Sequence, residues 1–134
     1  MVTAASRRKR RAYITSLIDK IFEVDPGVRF VAIYQDQHML AGGMKGGRSS
    51  YDPEEEAYDI DLQLAKIGEM TRSWQRWFGS MRALVVGYEK LNLVFQPLSE
   101  GRFLVLSTEV GVDAFELLDR LDKEDYRRLA EIIP

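Results

Sequence analysis

Between Glu54 and about Phe78 the sequence holds a helical repeat of apolar residues on more than one face, and strand-like segments flank it on both sides. Ala57, Ile60, Leu64, Ile67, Trp74 and Phe78 fall on one stripe at three- and four-residue steps, as a core-facing helix requires. Leu62, Met70 and Trp77 fall largely off it. They either widen the buried face, lie singly on the surface as many apolar residues do, or meet a second helix, since Trp and Met are enriched in interface cores. A helix over the whole stretch would span about 37 Å at 1.5 Å per residue. It could cross a small sheet, with one face needing that sheet and the other needing a partner.

The flanking segments supply the sheet. Ser6 to Val24 is predicted as a helix with Ser6 as N-cap and Ala12, Tyr13, Leu17, Ile18, Ile21 and Phe22 as its apolar positions. Asp25-Pro26-Gly27 stops it. Val28 to Tyr34 is β-branched and aromatic with apolar character on both faces, which suits an inner strand, and Met39 to Lys45 can return beside it as a hairpin. Asp52-Pro53 is an N-cap with proline at the first helical position, and Gly79-Ser80 is the stop signal at the far end of the long helix. Arg82 to Lys90, Leu91 to Leu98 and Arg102 to Thr108 read as three further strands. Val112, Phe115, Leu118 and Leu121 then mark a short helix. Asp122 would cap a last one, Lys123 to Ile132, with Tyr126, Leu129 and Ile133 available to dock.

Composition narrows the function. With 134 residues, one domain over 1–134 with one real core is expected. A net charge of −2 gives no global attraction to nucleic acid or membranes. The chain has no cysteine, so a thiolate metal site, a disulfide framework and a cysteine nucleophile are excluded. The first residues are followed by charges rather than an apolar stretch and no run of about 20 apolar residues follows, so no secretory signal and a soluble cytoplasmic protein are expected.

No set of residues assembles a reaction, and no cofactor is expected. Gly42-Gly43-Met44-Lys45-Gly46-Gly47-Arg48-Ser49 imitates a phosphate loop, but Arg48 stands where the lysine is needed. The segment also leaves a hairpin rather than a parallel strand, and the three glutamates Glu54 to Glu56 would repel phosphate at the next helix start. Asp52, Glu54, Glu55, Glu56, Asp59 and Asp61 could suggest a hard cation. Helix-start electrostatics accounts for the same carboxylates without one. His38, the single histidine, is expected in a solvent-facing hairpin turn. Arg7, Arg8, Lys9, Arg10 and Arg11 form a basic run that could touch an anionic surface, either phosphates or lipid headgroups. Without interleaved aromatics it offers no base stacking, so nucleic acid is a weak fit. A solvated helix start and docking to a partner's acidic patch are the other readings.

The order helix, two strands, long helix, three strands, helix resembles the roadblock/dynein light chain family and the related profilin-like and longin folds. The resemblance is carried by the hairpin Val28-Arg29-Phe30-Val31-Ala32-Ile33-Tyr34 to Met39-Leu40-Ala41-Gly42-Gly43, and by the meander from Ala83-Leu84-Val85-Val86 to Phe103-Leu104-Val105-Leu106. The segment Asp52 to Asp61 is similar to archaeal roadblock-like proteins, and the match covers roughly residues 8 to 121. It implies an α+β fold: a five-stranded antiparallel sheet with the long central helix on one face and the terminal helices on the other. It further implies a non-enzymatic homodimer that regulates or scaffolds a small GTPase. In such a dimer the edge Arg82 to Lys90 pairs with its copy and the long helices pack together, so Leu62, Met70, Trp77, Leu84, Val86 and Tyr88 are the expected interface. The alternative is a small-ligand sensor of profilin-like, PAS or GAF type, which needs polar groups pointing into an enclosed pocket.

Overall fold

The computed structural model describes residues 3–35, 38–46, 66–67, 69–70, 72–98, 101–121 and 123–132. Helix α1 (Ala4–Val24) starts at Thr3, whose hydroxyl oxygen accepts the Ser6 amide at 3.1 Å. Ser6 is thus inside the helix, and the cap predicted there moves back by three residues. The helix ends where the Val28 amide donates to the Asp25 carbonyl across the Pro26-Gly27 turn. Strands β1 (Val28–Gln35) and β2 (His38–Met44) form the expected hairpin. His38 is therefore the first residue of a strand and not of a turn. It pairs with Gln35 and remains exposed.

Helical backbone is present at 66–67, 69–70 and 72–73, and after a turn at Trp74 comes α2 (Gln75–Phe78). Gly79 closes it at φ +78°, with its amide donating to the Gln75 carbonyl. That is the stop expected at Gly79-Ser80. The rest of the long-helix expectation, together with Leu62 and the acidic run 52–61, lies outside the described residues. Next come β3 (Leu84–Gly87), β4 (Asn92–Pro97) and β5 (Arg102–Thr108), then α3 (Ala114–Arg120) and α4 (Lys123–Ile132).

The five strands form one antiparallel sheet in the order β2-β1-β5-β4-β3. Because strand side chains alternate in direction, each inner strand feeds two cores. On one face Val31, Ile33, Val94, Leu104 and Leu106 meet Leu17, Ile18 and Ile21 of α1 and Leu117 and Leu118 of α3. On the other, Ala32, Tyr34, Phe95, Phe103 and Val105 form a second cluster, against which Ile67, Leu84 and Val86 pack. The central helix and the terminal helices thus take opposite faces. Each fully buried leucine or isoleucine contributes about 1.5–3 kcal/mol of burial, so the doubly covered β1–β5 pair is the main stabilising element.

Three sequence expectations fail for a common reason: periodicity reports which way a residue faces, not how far the surface beneath it extends. Ala12 and Tyr13 are exposed because only the second half of α1 lies over the sheet. Trp74 and Phe78, assigned to the core stripe, are exposed. In α3 the Asp113 side chain accepts from the Glu116 amide and fixes the helix start. That phase turns Ala114, Leu117 and Leu118 inward and leaves Phe115 61% exposed.

Two polar clusters lock the ends of the elements. The Asn92 amide nitrogen donates to the Thr108 hydroxyl at 3.3 Å, the Glu109 carbonyl at 3.4 Å and the Val112 carbonyl at 3.3 Å. It thereby ties the start of β4 to the loop after β5. The Asp25 carboxylate accepts from Arg120 at 2.9 Å and from the Gly27 amide at 2.7 Å. The Arg120 hydrogen bond first, and the Gly27 amide second, hold this carboxyl below its ordinary value. A depressed carboxylate favours the folded state at neutral pH and loses that contribution as pH falls through its folded value. The stability gap between wild type and Asp25→Asn is therefore expected at pH 7 and should shrink below about pH 4. Thermal melts from pH 3 to 7 measure it.

Candidate protein-interaction surface

Strand β3 is one edge of the sheet and pairs only with β4 among the described residues, in the register Leu84↔Phe95, Val85↔Val94, Val86↔Leu93 and Gly87↔Asn92. An edge strand presents unpaired N–H and C=O groups, and a protein must blunt it or pair it. Here β3 spans four residues, not the nine predicted from Arg82 to Lys90. Gly87 ends it, and the Tyr88 amide turns back to the Leu91 carbonyl at 2.8 Å. Tyr88, a strand residue by its sequence pattern, therefore sits in the turn and is exposed.

Leu84 and Val86 are half-buried on the face that also holds Ile67. Ile67, on the helical backbone that precedes α2, thus packs on the same sheet face as the edge strand, and the residues that follow it, from Met70 to Phe78, carry exposed apolar surface. Met70 and Trp74 are exposed there, Trp77 is 63% exposed and Phe78 79%. The Trp74 and Phe78 rings meet edge to face, with centroids 6.4 Å apart and planes at 73°. The Arg76 guanidinium lies 4.2 Å from the Trp77 ring centroid. Such a ring pair adds about 0.5–1.5 kcal/mol beyond its area, and an exposed cation–π contact about 0.5–1. These contacts order the large side chains before any partner arrives. Preordered aromatics lose less entropy on binding, and Trp and Arg dominate the energetics of protein interfaces.

Of the six residues expected at an interface, Met70, Trp77 and Tyr88 are exposed, Leu84 and Val86 lie on the sheet face beneath the helix, and Leu62 is outside the described residues. Sequence reasoning misses Trp74 and Phe78. Their spacing of four residues is the available signal for a ring pair, but the same spacing also fits the core stripe. The basic run occupies α1 away from this surface, with Arg7, Arg8, Lys9 and Arg11 exposed and Arg10 half-buried.

Among the described residues, no group of three or more His, Cys, Asp or Glu side chains could hold a metal ion, and no helix is long and apolar enough to cross a membrane. Gly42 and Gly43 of the phosphate-loop look-alike lie within β2. The Lys45 amide donates to the Arg29 carbonyl, as in sheet bonding, and Gly47, Arg48 and Ser49 lie outside the described residues.

No family model matches the chain, and no curated protein does. Solved structures do. The gliding protein MglB from Thermus thermophilus is 14% identical over 92% of this chain and 90% of its own, with a TM-score of 0.72. An MglB structure with a tetrameric arrangement is 13% identical over 92% and 90%, at 0.73. A roadblock/LC7 domain from Streptomyces avermitilis is 16% identical over 88% and 89%, at 0.57. Together with the five-stranded antiparallel sheet covered on both faces, these matches establish that the chain has the roadblock/LC7 fold.

Proposed function

We propose that residues 1–134 act as one homodimeric, non-enzymatic interaction domain in the cytoplasm, and that its partner is a small GTPase which it regulates or scaffolds. The observation that carries the reading is the group Met70, Trp74, Trp77 and Phe78, exposed on the helical stretch that precedes the edge strand β3. Apolar patches of this kind mark interaction surfaces. The roadblock resemblance supplies the partner class, and the tetrameric arrangement of one MglB structure agrees with self-association. In the proposed dimer Leu62, Met70, Trp77, Leu84, Val86 and Tyr88 lie at the interface, with Trp74 and Phe78 now added. The alternative, a small-ligand sensor of profilin-like, PAS or GAF type, would need polar groups pointing into an enclosed pocket.

Sedimentation equilibrium at tens of micromolar tests the dimer. Wild type should run as a dimer and Trp77→Glu as a monomer, with dissociation raised by about 100-fold or more, as for an interface hot spot. Because Trp77 is largely exposed, the monomeric variant should still be folded. A strictly monomeric wild type defeats the reading. Titration with small GTPases encoded near this chain, each loaded with GDP or a GTP analogue, tests the partner.

A further inference from the structure

The opposite edge of the sheet carries a feature that dimerisation through β3 does not use. Strand β2 has no neighbour on its outer side among the described residues. Between it and α1 runs an open groove of about 350 Å³, lined by α1 from Arg11 to Phe22 and by β2 from Leu40 to Met44. Its floor is apolar: Ile18 is buried, and Ile14, Phe22 and Leu40 are half-buried, packed against the first core. A Cβ built on Gly43 would meet nothing within 4 Å, so the backbone there stands open to close approach by another chain.

One end of the groove is strongly cationic. Arg11 is its first lining residue on α1, and Arg7, Arg8, Lys9 and Arg10 continue the helix beyond it. No acid precedes Asp19 in the chain, and Asp19 itself lines the groove further along α1, away from the cationic end. At 100° per residue the five cations point to all sides of the helix, so they present no single face to a plane such as a bilayer. A duplex would leave the apolar floor and the open strand edge unused.

We propose that this groove binds an extended peptide from another protein, which adds to β2 as a sixth strand, seats alternate apolar side chains on Ile14, Ile18, Phe22 and Leu40, and directs an acidic residue to Arg11 at the cationic end of the groove. Strand addition at an edge draws affinity from main-chain hydrogen bonds and specificity from pockets for alternate residues. The acidic end supplies charge complementarity and register. The seven residues of β2 can pair with a partner strand over roughly 23 Å.

The test is selection of a displayed library of random peptides of about ten residues on the intact protein, with counter-selection on Thr15→Trp. Thr15 is exposed and lines the groove, so tryptophan fills it without touching the core. Enriched peptides should alternate apolar with polar residues and carry Asp or Glu at one end. Their affinity should fall about tenfold in Arg11→Glu, and their binding should slow amide exchange in Leu40–Met44. Enrichment no greater than on Thr15→Trp overturns the proposal. So do peptides indifferent to Arg11→Glu, or binding of duplex DNA or phosphatidylserine vesicles tighter than any selected peptide.

Discussion

Gly42→Ala should lose about 3 kcal/mol of stability, one of the largest effects of any single methyl added to this chain. Gly42 sits in β2 at φ +111°, where an L side chain is strained. Its Cβ would also collide with the Val31 carbonyl oxygen and lie 2.6 Å from the Ala32 Cα. Both neighbours are backbone of fully buried residues of β1, Val31 and Ala32, and cannot swing away as a flexible side chain would. The collision must therefore be relieved by moving β2, which pairs Gly42 with Ala32 and Gly43 with Val31. Urea denaturation should show a lower midpoint, and amide exchange should show the loss concentrated in the β1–β2 hairpin. Gly43→Ala is the control: no atom lies within 4 Å of its Cβ, so only the cost of an L residue at φ +156° remains, about 1 kcal/mol. Equal losses in the two variants would show that the collision is not what makes Gly42 necessary.

Leu117→Ala should cost about 3 kcal/mol by opening a cavity, within the usual range of 2–5 for buried leucines. Leu117 is fully buried and shares the first core with Leu17, Leu104 and Leu106, so its truncation leaves space among residues of α1 and the sheet. The central strands are held by pairing on both sides and cannot collapse inward. Phe115→Ala, two residues away on the same helix, should change stability by less than about 0.5 kcal/mol because its ring faces outward. Calorimetric melts of the pair test the helix phase directly. A larger loss at Phe115 would mean that α3 packs through the face the sequence pattern suggests.

How much of this is legible in the sequence depends on the reach of each signal. Strand β5 is expected at Arg102 to Thr108 and is found there, because seven residues between a glycine turn and a charged loop leave no other reading. The hairpin and the placement of α4 are visible for the same reason. The cap of α1 lies at Thr3 and not Ser6, since both are good caps and only tertiary context chooses between them. Strand β3 is shorter than expected, Leu84–Gly87, because the chain already turns back at Tyr88, whose amide donates to the Leu91 carbonyl. The surface at the helix end is half legible: Trp77 and Met70 stand off the stripe, while Trp74 and Phe78 stand on it and are exposed all the same. The groove beside β2 has no local signature, since it comes from a helix and a strand that pack across the hairpin.

Strand β5 is the last of the five strands to be synthesised, yet it lies at the centre of the sheet, bonded to β1 on one side and β4 on the other. Until residues 102–108 have left the ribosome, β1 and β4 have no connection, and neither core can close. Such long-range pairing folds slowly and leaves strand edges exposed meanwhile. The nascent chain must therefore carry β1 with its central edge unpaired until β5 emerges, and the sheet must close as one late event once that strand slides between the two halves already made.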